Sequence, residues 1–214
     1  MNILRINCSP RGRASESYRL SQRLVDRLAR AAGVPEPRIT EVDATALPHV
    51  DDDYAAALSA RVDPDGDTLG RGALRQSTEL IESLRNASHI IIATPMHNFT
   101  VPSSLKVWID HVVRVRSTFE ITPQGKVGTL ADRPVYVAIS SGGEFSGEAA
   151  RQSDFLTPYL GYLLGTIGLH DVNFFSVQGT ARGAEALEAA RARAEAQIAA
   201  HVFTGFARKE PALA

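Results

Sequence analysis

The sequence predicts an α/β protein whose parallel β-sheet is doubly wound, with helices covering both faces. Short runs of β-branched residues alternate with longer amphipathic stretches, the order expected when a crossover helix follows each strand. Two runs, 89–93 and 134–140, are apolar at nearly every position, as strands buried on both faces of a parallel sheet are. We expect the 214 residues to form one domain, residues 1–214.

Five strands and five main helices follow in order. The strands are predicted at 2–7, 38–42, 89–93, 134–140 and 171–177. The helices are predicted at 15–32, 70–85, 103–115, 154–167 and 184–203, where apolar residues recur at helical spacing. We expect a loop at 63–67, inside an insertion between the second and third strands, and a frayed tail at 209–214.

Composition excludes several classes of protein. The 23 Lys and Arg residues nearly balance the 24 Asp and Glu residues, so the chain lacks the basic surface of a nucleic-acid binder. It has no apolar run long enough for a membrane span, and no basic region precedes its first apolar residues as in a signal peptide. Its one cysteine, Cys8, cannot form an internal disulfide. We therefore expect a protein of the reducing cytoplasm.

Ligands of open parallel sheets bind beyond the carboxyl ends of the strands, so the loops there are the candidate site. The loop after the first strand carries Ser9, Ser15 and Ser17 and leads into a helix. Hydroxyl groups and the unpaired N–H groups of a helix N-terminus suit a phosphate. The loop has neither the dinucleotide fingerprint nor the NTPase phosphate loop. The alternative is that Ser15 serves only as the N-cap.

The loops after the third and fourth strands suit a flat ring. Residues 94–102 place Met96, His97, Asn98 and Phe99 between two prolines, and apolar side chains there can pack on a heteroaromatic ring. After the fourth strand, the glycines at 142 and 143 let the backbone approach a ligand closely. Each loop alone could be an ordinary turn. Together the three loops indicate a monophosphate joined to a planar ring, which is the shape of FMN.

At these residues the chain resembles the FMN-dependent NADH-azoreductase family of flavodoxin-like NAD(P)H:quinone oxidoreductases. The resemblance runs nearly end to end. It is carried by Pro95-Met96-His97-Asn98-Phe99, Leu105-Lys106, Asp110, Thr118-Phe119, Leu156-Thr157-Pro158-Tyr159-Leu160 and Ile167-Gly168. His97 stands where the family usually has tyrosine, and Ser141 stands where it usually has arginine. These departures bear on substrate preference and redox tuning more than on the cofactor.

The resemblance implies a flavodoxin-like fold with strand order 2-1-3-4-5 and one FMN per subunit. It places the phosphate on Ser9, Ser15, Glu16 and Ser17, with the side chain of Glu16 facing solvent and its backbone N–H on the phosphate. It places the ring on Pro95, Met96, His97, Asn98, Phe99, Ser140, Ser141, Gly142 and Gly143. It also implies a homodimer with active sites at the interface. Phe119 is then a candidate for the partner's substrate pocket, or else a plain core residue.

The implied reaction is a ping-pong cycle. NADH or NADPH delivers hydride to the flavin and leaves, and a quinone or an azo compound then takes two electrons. The cycle requires no acid–base side chain, because solvent can protonate the products. We assign no catalytic residue and keep His97 as a conditional proton donor, since imidazole titrates near neutral pH.

Other interpretations of the sequence remain. A flavodoxin-type electron carrier is the main alternative, although such carriers are usually smaller and strongly acidic. A phosphoryl-receiving regulator lacks the acidic residues it needs, and a hydrolase lacks the Gly-x-Ser-x-Gly elbow. Residues 51–53 are three aspartates that could suggest a metal, but we interpret them as an acidic turn at a helix start and expect no metal site. We interpret Cys8 as a small buried hydrophobe.

Overall fold

The computed structural model describes residues 1–60 and 70–206. Its strands are β1 (Asn2–Asn7), β2 (Arg38–Asp43), β3 (His89–Pro95), β4 (Phe119–Thr122), β5 (Gly125–Gly128), β6 (Val135–Ser140) and β7 (Val172–Val177). Its helices are α1 (Glu16–Ala32), α2 (Asp52–Ser59), α3 (Gly72–Asn86), α4 (Ser103–Val112), α5 (Thr157–Thr166) and α6 (Ala184–Ala200). The loop predicted at 63–67 and the tail predicted at 209–214 lie outside the described residues.

The main sheet is parallel throughout and has five strands in the order β2-β1-β3-β6-β7. Counting only these five strands, this is the predicted order 2-1-3-4-5, so the fold class is confirmed. The order reverses between β1 and β3. The chain leaves the two strands toward opposite faces of the sheet, which opens a crevice at their carboxyl ends.

Both faces of the sheet are covered because each central strand alternates its side chains between two cores. Ile3 and Ile91 pack with Leu24 and Leu28 of α1 on one face, where α6 also lies. Helices α3, α4 and α5 cover the other face, around the fully buried Trp108. Strands buried in this way must be apolar at every position, which is why 89–93 and 134–140 could be predicted as strands.

Helix α1 shows how local sequence sets its bounds. Its N-cap Ser15 accepts a hydrogen bond from the backbone N–H of Tyr18 at 3.2 Å. At the other end Gly33 adopts a left-handed conformation (φ +64°) and donates its N–H to the carbonyls of Ala29 and Arg30. A hydroxyl cap at the start and a left-handed glycine after the end are the usual helix boundaries.

Several predicted helices are longer than the observed ones. The helix predicted over 103–115 ends at Val112, because the hydroxyl of Thr118 donates to the Val112 carbonyl at 2.7 Å and accepts from the N–H of Arg114 at 3.0 Å. The helix predicted from 154 begins at Thr157, because the carboxylate of Asp154 accepts the first backbone N–H groups. The helix predicted over 184–203 ends at Ala200, and the one predicted from 70 begins at Gly72.

The β4–β5 hairpin was not predicted, and of helix α2 only its start, at the acidic turn 51–53, was. Strands β4 and β5 form an antiparallel hairpin outside the main sheet. Helix α2 follows Asp51, whose carboxylate caps it by accepting from the N–H of Tyr54 at 2.9 Å and also accepts from Ala73 at 3.0 Å. Residues 51–53 therefore start a helix. The described residues contain no cluster of three or more potential metal-binding side chains.

No helix among the described residues combines the length and the apolar character needed to cross a bilayer.

Candidate functional site

The three candidate loops meet at the carboxyl edge of the sheet. The N–H of Cys8 donates to Ala93 at 2.9 Å, and that of Met96 donates to Ser140 at 2.8 Å. These bonds extend the β1–β3 and β3–β6 ladders into the loops, and they follow directly on the β3–β6 pairing of Pro95 with Ser140. The backbone therefore fixes the position of each loop relative to its neighbour.

The first loop ends at a helix N-terminus with two unpaired amides. Ser9, Ser15 and Ser17 are all buried, and the hydroxyls of Ser15 and Ser17 lie 3.3 Å apart. Ser15 is the N-cap of α1, which was the alternative to a role in phosphate binding. Within the described residues, the backbone amides of Glu16 and Ser17 donate no hydrogen bond. Capping and anion binding are therefore compatible here, because the cap uses only the amide of Tyr18.

The side chain of Glu16 is not where we expected it. Instead of facing solvent, its carboxylate accepts two hydrogen bonds from Arg191 of α6, at 2.8 and 3.0 Å. The hydrogen bond from Arg191 lowers the pKa of Glu16, against the opposing effect of partial burial. The expectation was wrong because it considered only the loop, whereas α6 packs along α1 and brings a cation to this carboxylate.

The second loop is a tight turn in a conformation that side chains rarely adopt. His97 and Thr100 exchange two backbone hydrogen bonds at 3.0 Å, and the residues between them have positive φ, +48° at Asn98 and +70° at Phe99. These are the features of a type I′ turn. Left-handed backbone is uncommon for asparagine and strained for phenylalanine, and such strain is concentrated at ligand-binding sites.

This turn presents its tip to solvent at the edge of the crevice. Met96 is buried below it, whereas His97, Asn98 and Phe99 are exposed, and the Phe99 ring is half exposed. His97 also lines a groove of about 220 Å³, together with Pro10 of the first loop and His49. An exposed aromatic ring beside open backbone gives a surface on which a flat ligand can lie.

The third loop combines a buried serine with accessible glycines. Ser140 is half-buried at the end of β6, Ser141 is buried, Gly142 is exposed and Gly143 is half-buried. The N–H of Ser141 donates to Val177 at 3.0 Å, which ties this loop to the next strand. The structure therefore brings the predicted residues of all three loops to one edge of the sheet.

Gln152 joins the second and third loops and was not predicted. Its Nε2 lies 3.1 Å from the sulfur of Met96 and 3.1 Å from the hydroxyl of Ser141. A Cβ placed on Gly143 would lie 2.3 Å from its Oε1. Gln152 thus occupies the space that the missing side chain of Gly143 leaves.

Phe119 is not brought to the three loops of its own chain. It lies in the β4–β5 hairpin, which follows the end of α4. The start of α4, in contrast, lies beside the first loop, because the hydroxyl of Ser104 donates to the Cys8 carbonyl at 2.6 Å. The Phe119 ring is buried beneath Lys126, whose ammonium lies 4.9 Å from the ring centroid. A role for Phe119 in a substrate pocket stays a prediction that needs a partner subunit.

Cys8 lies just after β1, at the start of the first loop. The residue is fully buried, and burial, followed by the nearby Asp43 carboxylate, raises the pKa of its thiol well above the usual range. A neutral, buried thiol is a packing group. The interpretation of Cys8 as a small buried hydrophobe is confirmed.

Comparison with known proteins gives the family. The family model described as flavodoxin-like fold matches residues 1–202. A Pseudomonas fluorescens protein named FMN-dependent NADH:quinone oxidoreductase 4 is 46% identical over 190 residues, which is 88% of this chain and 89% of the relative. The chain belongs to this flavodoxin-like family. The sequence-based recognition of the family is therefore confirmed.

Other members of the family agree. A Burkholderia lata protein named FMN-dependent NADH:quinone oxidoreductase 5 is 44% identical over 192 residues, covering 89% of this chain and 91% of the relative. Among solved structures, an FMN-dependent NADH-azoreductase from Bacillus anthracis in complex with FMN aligns with a TM-score of 0.75 and 23% identity, over 92% of this chain and 97% of that one. At that identity the structural likeness shows the shared fold.

Proposed function

We propose that this flavodoxin-like protein is an FMN-dependent NADH:quinone oxidoreductase. The observation that carries the proposal is the meeting of three loops at the point where strand order reverses, in a chain with relatives of that name at 46% and 44% identity. When bound, FMN would supply the two-electron redox chemistry itself. The residues of the chain bind it, orient it and limit what else reaches it.

The first loop fits the phosphate. It offers the unpaired amides of Glu16 and Ser17 and the hydroxyl of Ser9. The Ser15 hydroxyl donates to the Gly12 carbonyl at 2.8 Å and lies 3.3 Å from the Ser17 hydroxyl, so binding through these two requires their hydroxyl protons to turn toward the phosphate. Hydroxyl and amide donors at a helix N-terminus match a dianion, and the one carboxylate at this position is already paired with Arg191. The donor set therefore suits a phosphate without a metal ion.

The second and third loops fit the ring. Pro95, Met96, His97, Asn98 and Phe99 supply apolar contact and backbone polar groups on one side. On the other side, Ser140 and Ser141 anchor the loop through their own backbone bonds, and the amides of Gly142 and Gly143 donate no hydrogen bond among the described residues. Because the β3–β6 ladder continues into both loops, the two sets of backbone groups are held at a fixed separation, as binding of a rigid heterocycle requires.

The substrates that we propose are NADH as electron donor and quinones and azo compounds as acceptors, reduced in a ping-pong cycle. The names of the relatives support NADH and quinones, and the azoreductase neighbours support azo compounds as a further class. His97 borders the crevice and is exposed, so its imidazole can exchange a proton with solvent and hand it to a bound acceptor. No other side chain is assigned a catalytic role.

We further propose that the protein is a homodimer of single-domain subunits in the cytoplasm. Exposed apolar side chains on the hairpin, Ile121 and Val127, and near the site, Phe99 and Phe155, support a partner surface. The match of the family model to residues 1–202 supports one domain. A single, buried, unpaired cysteine supports a reducing compartment.

Cofactor release and turnover test the proposal. Heating the purified protein should release a compound with the absorbance spectrum of FMN at about one per chain, and the protein should oxidise NADH steadily when a quinone is present. If no flavin is released and added FMN does not bind, the proposal fails. Bound FMN with little NADH turnover would instead identify a flavodoxin-type electron carrier.

A further inference from the structure

Glu16 places a carboxylate at the first residue of α1, beside the site proposed for a phosphate. An acidic residue there usually stabilises a helix, because it meets the positive end of the helix dipole. Next to a phosphate the same charge is repulsive. A chain that binds a phosphate at this terminus must therefore neutralise the carboxylate or turn it away.

Arg191 of α6 does both in this structure. Its Nη2 donates to one carboxylate oxygen of Glu16 at 2.8 Å and its Nε donates to the other at 3.0 Å. Paired contacts of this kind fix direction as well as charge. Glu188, one turn earlier on α6, contacts the same guanidinium and helps to hold it in place. Arg19 reaches the Glu16 carboxylate less closely, at 3.6 Å.

The ion pair lies between α1 and α6. Glu16 and Arg191 line a groove of about 580 Å³ between α1 and α6, and none of the loop serines lines that groove. The hydroxyls of Ser15 and Ser17, by contrast, are buried together on the loop. The backbone amide of Glu16 can therefore bind a phosphate at the first loop, while its carboxylate lies in the groove between α1 and α6.

We propose that Arg191 is a positioning residue for the FMN phosphate, an inference that rests on the function proposed above. By holding the Glu16 carboxylate against α6, it removes a repulsive charge from the helix N-terminus and leaves the amides of Glu16 and Ser17 to the phosphate. The role has a chemical signature. Arg191 matters for FMN and not for riboflavin, which has the same ring and no phosphate.

Flavin binding to the apoprotein tests this role. Dissociation constants of FMN and riboflavin are measured by quenching of flavin fluorescence for the wild type and Arg191→Ala. The variant should bind FMN about tenfold more weakly at low salt, because a cation is lost and the Glu16 carboxylate keeps only the more distant Arg19, at 3.6 Å. It should bind riboflavin as the wild type does. At about 0.5 M salt the difference should shrink, because exposed charges are screened. At low salt, the loss of FMN affinity should be larger in a variant that carries Arg19→Ala in addition to Arg191→Ala.

A second substitution separates charge from packing. In an Arg191→Ala background, Glu16→Gln removes the repelling carboxylate and should restore most of the lost FMN affinity. If the double variant binds FMN as weakly as Arg191→Ala, the proposed role is wrong. It is also wrong if Arg191→Ala weakens FMN and riboflavin equally.

Arg23 provides the matched control. It pairs with Glu195 at 2.8 Å and so also joins α1 to α6, but it lies about two helical turns beyond Glu16. Arg23→Ala should bind FMN as the wild type does. An equal loss in Arg23→Ala and Arg191→Ala would mean that only helix docking matters and would refute the inference. Failure of the wild type to bind FMN would instead overturn the proposed function and the inference with it.

Discussion

The strained turn of the second loop should affect the free energy of unfolding of variants at Phe99. Phe99 holds φ at +70° with its ring half exposed. Replacing it by alanine or by glycine removes the same ring, so the two variants differ only in whether a Cβ remains at a left-handed position. We expect Phe99→Gly to be more stable than Phe99→Ala, the reverse of the usual order.

The size of the difference follows from two opposing effects. A Cβ in left-handed backbone costs about 1–2 kcal/mol. Glycine in turn loses about 0.5–1 kcal/mol through the greater freedom of the unfolded chain. From the midpoints of these two ranges, the net advantage of Phe99→Gly is about 0.75 kcal/mol, which is about 1.5–3 °C in Tm for a chain of this length.

Thermal and urea unfolding of the two flavin-free variants measure this difference. Phe155 supplies the control, because it is similarly exposed and its backbone N–H donates to Phe99, yet it is not among the residues with positive φ. There the alanine variant should be the more stable one. If Phe99→Ala equals or exceeds Phe99→Gly in stability, the turn is not strained. Both Phe99 variants should also bind FMN more weakly.

Three further predictions concern proton transfer, packing and thiol chemistry. His97→Tyr should change the pH profile of turnover, and an unchanged profile would exclude a proton role for the imidazole. Gly128→Ala should lower stability by about 1–3 kcal/mol in urea unfolding, because a Cβ there lies 2.1 Å from the backbone nitrogen of Gly168, whereas Gly161→Ala in the open middle of α5 should not lower it. Cys8 should resist a thiol reagent at pH 8 until the protein is unfolded, because burial raises its pKa and keeps the thiol protonated; rapid labelling of the native protein would contradict this.

Much of the fold could be predicted because local sequence and burial agree. Buried central strands are apolar at every position, and α1 carries both its cap and its terminating glycine. Helix ends set by distant side chains could not be predicted, as with the Thr118 hydroxyl that ends α4. The β4–β5 hairpin was missed because it lies outside the main sheet and exposes Ile121 and Val127 to solvent.

The site residues likewise fall into those that the sequence predicts and those that it does not. Its loops could be located because ligands gather at strand ends, and their residues could be named from the loop sequences. Gln152 and Arg191 could not be found, since the contacts that give them a role join residues 56 and 175 positions apart. Only the packing of the crossovers brings these partners together. The same packing explains why Glu16 does not face solvent.

The turn at Asn98 and Phe99 leaves the side chain at position 97 free to vary. Its shape is set by main-chain bonds, between His97 and Thr100 and from Met96 to Ser140, so the backbone facing a ligand does not depend on which side chain stands at position 97. Histidine can replace the usual tyrosine there while the main-chain groups keep their places. Position 97 can therefore exchange its side chain without moving the main-chain groups of the turn.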